Sequence, residues 1–242
     1  TALDSNRSHL FGRRVVPFQG KVLFPANNAL EILNPANGSF SPFALLESTG
    51  SRMTPGVWGD KVLIVDQQGL FIVFNADGTL HSEVPTGAVQ PIALAVAVHR
   101  DSAVFSGRRG DTAAIDRATT TVRWERSLSD GSISVSADML AAPEGAYAFS
   151  RDGTIYALSW QTGADLFTPI RGAATPPAYA DGSIIYGTRD GKLVIASAAT
   201  GATRRSLGLE SQPTTRPVLF DGMIAVGTRD GQVILVEPAG IR

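Results

Sequence analysis

Cysteine is absent from all 242 residues, which removes disulfides, thiolate metal sites and cysteine nucleophiles together. The absence leaves the compartment open, because a cysteine-free chain suits oxidising and reducing surroundings alike. Histidine is scarce: His9, His81 and His99 are the only three, and their spacing matches no zinc pattern. No apolar run approaches the roughly 18 residues of a membrane helix, and no signal-peptide pattern is visible. A net charge of −1 gives no bulk attraction for nucleic acid or anionic lipid. There is no Gly-x-Ser-x-Gly nucleophile elbow. Gly187 to Leu193 is not a phosphate loop either, since three residues rather than four separate its glycines and Leu193 stands where magnesium needs a hydroxyl.

What remains is 43% hydrophobic and 18% charged, the composition of a well-buried globular protein, with 25 glycines and 14 prolines dispersed as turn residues. The chain repeats itself. Phe149-Ser-Arg-Asp-Gly-Thr-Ile-Tyr-Ala-Leu158, Gly187-Thr-Arg-Asp-Gly-Lys-Leu-Val-Ile-Ala196 and Gly227-Thr-Arg-Asp-Gly-Gln-Val-Ile-Leu-Val236 are near copies, and weaker copies begin at Ser106, Val65 and Pro25. Their shared glycines, with Asn28 substituting in the first, fall at 28, 69, 110, 153, 191 and 231, separated by 41, 41, 43, 38 and 40 residues. Asparagine is the best non-glycine tenant of a positive-φ position, so the first turn survives. Short apolar runs alternate with Asp-Gly pairs such as Asp221-Gly222, which is hairpin chemistry, and no helical stripe is present. A period near 40 with strand chemistry predicts a β-propeller of six blades, each a four-stranded antiparallel sheet, in one domain over residues 1–242.

The last repeat ends after its third strand, near Val236. Residues 9–14 read as a fourth strand, and the spacing predicts that they complete the last blade and close the ring, hiding edges that would otherwise pair with other chains. The alternative is that Ala2-Leu3-Asp4 is the remainder of a blade lying further upstream.

The turn after the third strand carries a family resemblance. Ala114-Ile-Asp116-Arg-Ala-Thr119-Thr-Thr-Val-Arg-Trp124 resembles the tryptophan-docking signature of pyrroloquinoline-quinone-like repeat propellers, and Ala157-Leu-Ser159-Trp-Gln-Thr162-Gly163-Ala-Asp-Leu-Phe167 repeats it with Ser for Asp and Phe for Trp. That family includes quinone-dependent dehydrogenases, extracytoplasmic sensor domains and the propeller lipoprotein subunit of the bacterial outer-membrane protein assembly machinery. The resemblance implies a non-catalytic protein-binding scaffold outside the cytoplasm, periplasmic and envelope-associated. The alternatives it leaves are an enzyme using the central channel, quinone-linked or hydrolytic, and a ligand-binding sensor domain of a larger receptor. No cofactor, metal or catalytic set is assigned, because the calcium-held quinone constellation has no match here.

One pattern points to a partner. Arg108, Arg151, Arg189 and Arg229 stand two residues before their anchors in four consecutive repeats, where the first two repeats have Ala26 and Gln67. Turns of one kind emerge on one face of a propeller, so these arginines are expected to form an arc suited to an acidic or extended segment of another protein. A bland reading stands beside it: Asp152, Asp190 and Asp230 follow three of the arginines and could neutralise them within the turn. Arg109-Gly110-Asp111 spells an adhesion tripeptide and reads as a scrambled form of the same turn. The expected state is a monomer or a subunit of a larger complex.

Overall fold

The apolar runs form strands, most of them buried on both faces. The computed structural model describes residues 15–26, 29–45, 55–66, 69–87, 96–107, 109–128, 135 and 139–237, and every regular element among them is a strand. The chain divides into two units, 1–131 and 132–242.

The first unit holds three antiparallel four-stranded sheets. They are β1 (Val16–Phe18), β2 (Lys21–Ala26), β3 (Ala29–Asn34) and β4 (Ser39–Leu45); then β5 (Gly56–Trp58), β6 (Lys61–Val65), β7 (Leu70–Phe74) and β8 (Leu80–Pro85); then β9 (Ala97–His99), β10 (Ser102–Ser106), β11 (Asp111–Asp116) and β12 (Val122–Ser127). Strand periodicity explains the unbroken hydrophobicity of β6 and β7. Val62, Ile64, Ile72 and Phe74 pack on the first sheet, while Leu63, Val65, Phe71 and Val73 pack on the third. Each fully buried aliphatic side chain stabilises the stack by about 1.5–3 kcal/mol.

The second unit repeats the scheme with β13 (Leu140–Ala141), β14 (Ala146–Phe149) and β15 (Ile155–Leu158); β16 (Ala178–Ala180), β17 (Ser183–Gly187), β18 (Lys192–Ser197) and β19 (Thr203–Gly208); and β20 (Val218–Phe220), β21 (Met223–Gly227) and β22 (Val233–Val236). Ile184, Tyr186, Val194 and Ala196 face the fourth sheet, and Ile185, Leu193 and Ile195 face the sixth. The fourth sheet departs from the expected four strands. Its outer position is held only by single bridges, Leu158 with Asp165 and Ile155 with Ile170. Pro169 lies in that segment and has no amide hydrogen to give a ladder.

The sixth sheet also has three strands among the described residues. Its inner face buries Ile224 and Val226, but its other face leaves Val218, Phe220, Val233 and Leu235 at 58%, 67%, 72% and 56% exposure. The expected closing strand, residues 9–14, lies outside the described residues, as does the anchor Asn28.

The Asp-Gly pairs turn out to be of two kinds. Asp181-Gly182 and Asp221-Gly222 have positive φ at both residues, 42° and 68°, then 48° and 73°, as two-residue hairpins require. The anchor glycines belong to another turn. Gly69, Gly110, Gly153, Gly191 and Gly231 have φ between 79° and 87°, and each donates its amide to the carbonyl three residues earlier. This is a β-turn followed by a left-handed glycine, the arrangement of a hairpin with a glycine bulge.

Candidate partner-binding face

Strands alternate in direction, so turns between second and third strands leave each sheet at one end and the remaining turns leave at the other. Arg151, Arg189 and Arg229 occupy the second position of three such turns in the second unit, and all are exposed. Arg108 and its first-unit equivalent Gln67 lie outside the described residues.

The turn sequence disposes of its own aspartates. The Ser150 hydroxyl donates to the Asp152 carboxylate, which also accepts from the Thr154 amide at 2.9 Å. The Thr188 hydroxyl donates to Asp190 at 2.5 Å and the Thr228 hydroxyl to Asp230 at 2.5 Å. Lys192 adds an ion pair to Asp190 at 2.6 Å. Among the described residues, none of these three carboxylates pairs with an arginine of the turns. Each therefore caps its own turn rather than neutralising its neighbour.

All three carboxyls sit below their ordinary range. For Asp152, burial pushes the pKa up, but hydrogen bonds from Ser150 and Thr154 and the charge of Arg171 outweigh it. Lys192 and then Thr188 lower Asp190, and Thr228 lowers Asp230. They stay ionised, as acceptors, throughout the neutral range.

The connections between sheets hold the turns in fixed relation. The Ala173 amide donates to the Gly153 carbonyl at 2.9 Å, while the Arg189 amide donates to the Gly172 carbonyl at 3.0 Å. The next connection repeats this: Leu209 donates to Gly191 at 2.8 Å, and Arg229 donates to Gln212 at 2.9 Å. Thr175 and Thr215 accept from the amides of Gly187 and Gly227, both at 2.8 Å. Each connection is thus laced to the turn behind it and the strand ahead of it.

The arginines are not equivalent. The Arg189 Nη2 donates to the carbonyls of Asp152 at 2.5 Å and Arg151 at 3.3 Å, so this side chain braces the preceding turn. Among the described residues the side chains of Arg151 and Arg229 donate no hydrogen bond. The repeat pattern misses Arg171, an exposed residue in the connection beside this turn. Its place in the next connection belongs to Ser211, so repetition could not reveal it.

The opposite end of the sheets is built for structure. In the docking-signature turn, Asp116 accepts from the amides of Ala118 and Thr119 at 2.8 and 3.0 Å and from the Arg123 guanidinium. Arg123 also donates to Ser102 at 2.6 Å, tying β12 to β10. Ser159 and Ser197 replace Asp116 in the later sheets and cap through their hydroxyls, at 3.2 Å to Gln161 and 3.3 Å to Thr200. Trp124 is half-buried. Trp58 and Trp160 are the buried tryptophans, donating to the carbonyls of Arg100 at 2.7 Å and Ala142 at 2.9 Å. Among the described residues no group of three or more histidine or carboxylate side chains could hold a metal ion.

With this geometry in hand, comparison with known proteins assigns the family. The family model of the outer membrane protein assembly factor BamB matches residues 12–206 and again 151–240. The chain belongs to this family. BamB of Moraxella catarrhalis is 20% identical with a TM-score of 0.66, covering 94% of this chain and 75% of that one. The computationally designed protein Ika8 is 17% identical with a TM-score of 0.72, covering 93% and 70%. The C-terminal WD40 domain of Sif2 is 13% identical with a TM-score of 0.69, covering 92% and 67%. At these identities the likeness is one of fold. WD40 domains are β-propellers, and this member of the BamB family has the same all-β fold built of PQQ-like repeats. No curated protein matches the chain in sequence.

Proposed function

We propose that this chain is a non-catalytic protein-binding scaffold of a bacterial envelope, acting in the periplasm or otherwise outside the cytoplasm. Its working face carries Arg108, Arg151, Arg189 and Arg229. The observation that carries the reading is the commitment of Asp152, Asp190 and Asp230 to their own turns, which leaves Arg151 and Arg229 on a laced, exposed face available to a partner. Arginine is favoured in such a role because its planar fork grips carboxylates in pairs of hydrogen bonds. The partner is another protein, met through an acidic or extended segment, and the chain acts as a monomer or as one subunit of a larger complex. Family membership supports the envelope assignment.

In this reading residues 1–242 form one domain, a closed ring of six blades with residues 9–14 as the outer strand of the last. Two features support closure: among the described residues no strand pairs with the β22 edge of the sixth sheet, and its apolar face would be costly to leave in water.

Affinity capture from detergent-solubilised envelope tests the function. The baits are the wild-type chain and a variant with Arg108, Arg151, Arg189 and Arg229 all changed to Glu. A protein recovered by wild type alone is the expected result. Equal recovery by both folded baits would reject the arginine face, and recovery by neither would reject the scaffold.

A further inference from the structure

Arg171 sits in the connection between the fourth and fifth sheets, and its backbone is clamped on both sides. Ile170 exchanges two hydrogen bonds with Ile155, at 2.8 and 3.0 Å. Gly172 accepts from Arg189, and Ala173 donates to Gly153. Arg171 is thereby wedged between the turn of Arg151 and the turn of Arg189. Its charge reaches Asp152, whose carboxylate is already occupied by Ser150 and Thr154. Among the described residues the guanidinium groups of Arg151, Arg171 and Arg229 donate no hydrogen bond, whereas Arg189 spends its Nη2 on two backbone carbonyls. The face therefore offers two adjacent cations at the fourth sheet, a brace at the fifth, and one cation at the sixth.

We propose that Arg151 with Arg171, and Arg229 two sheets away, form two carboxylate-binding points for a single extended acidic segment of a partner protein, with Arg189 as a positioning residue between them. The proposal rests on the scaffold reading above and adds the spacing the segment must have. Stacked sheets lie about 10 Å apart, so the two points are roughly 20 Å apart. An extended chain advances about 3.3 Å per residue, which places the two acidic residues about six positions apart. Two weak contacts on one chain reinforce each other only when the linker spans both, so spacing becomes selectivity.

The test uses the full ¹⁵N-labelled chain at low salt with Gly/Ser peptides carrying two glutamates. The glutamates are six positions apart in one peptide and two apart in another, and a third peptide has none. The six-apart peptide is expected to bind about tenfold more tightly than the two-apart peptide, by analogy with linked weak contacts. It should move the Arg151, Arg171 and Arg229 Nε–H resonances more than that of Arg189. Arg171→Gln should weaken the six-apart peptide severalfold at unchanged melting temperature, while Arg189→Gln should lower the melting temperature. Equal binding of both spacings, or no effect of Arg171→Gln, would overturn the proposal. If envelope capture still depends on the arginine face in that event, the scaffold reading stands and only the spacing falls. A failed capture would remove both.

Discussion

Gly153 and Gly231 hold nearly the same backbone, φ +86° and +85°, each after an Arg-Asp pair, yet their surroundings differ. A Cβ on Gly231 meets nothing within 4 Å, whereas one on Gly153 runs into the Ala173 carbonyl oxygen and lies 3.1 Å from the Arg189 guanidinium. Left-handed backbone costs an L-residue about 1–2 kcal/mol. Gly231→Ala should lose roughly that much, and Gly153→Ala should lose at least about 1 kcal/mol more because backbone must shift. Urea unfolding of the two variants checks this, and equal losses would mean the lacing at Ala173 is soft. Asp116 offers a second test at this scale. A hydrogen bond from Arg123, then the Thr119 amide, holds its carboxyl at about 2 against an ordinary 3.8. Because the folded value is depressed, the stabilisation is full above pH 3.8, declines as pH falls between 3.8 and 2, and is gone below. In Arg123→Met the Asp116 carboxyl should titrate back toward 3.8 by NMR, with the stability difference from wild type narrowing in acid.

Among the elements, the docking-signature turn shows what family pattern and physics each contribute. Thr120 stands at φ +48° where the equivalent turns place Gly38, Gly163 and Gly201. A β-branched residue is strained there, so Thr120→Gly should raise stability by about 1 kcal/mol in thermal melts, while an unchanged or lower value would show that the Thr120 hydroxyl, which donates to the Thr119 carbonyl at 2.8 Å, matters more. The hairpins were legible because Asp-Gly and apolar runs are local signals, and β21 and β22 fall where Met223 and Val233 predict. The distinction between the two kinds of Asp-Gly was not legible, since it depends on which strand follows. The broken outer edge of the fourth sheet was visible only as Pro169. Of the candidate face, Arg151, Arg189 and Arg229 were readable from repetition. Their unequal roles were not: Arg189 is diverted by carbonyls that folding brings from the neighbouring sheet. Arg171, lying in an unrepeated connection, left no periodic trace.

For the whole molecule, the decisive property is an asymmetry between the two ends of the sheets. Within each unit one end of the sheets is tied internally, through Asp116 and Arg123 in the first and through the capping Ser159 and Ser197 in the second. In the second unit the other end presents exposed arginines whose adjacent aspartates are held within their own turns. Closure bears on this as well, because the sixth sheet carries Arg229 and also the open apolar face of Val218, Phe220, Val233 and Leu235. If residues 9–14 complete that sheet, deleting residues 1–14 should lower the melting temperature and raise binding of an apolar dye. Unchanged values would rule out closure by that strand. Site-specific photo-crosslinking in intact cells measures directly which end of the sheets meets the partner. A photoreactive residue at position 229 should yield a covalent adduct with an envelope protein, and one at position 221, at the other end of the same sheet, should yield none. Adducts from position 221 with none from position 229 would contradict the account.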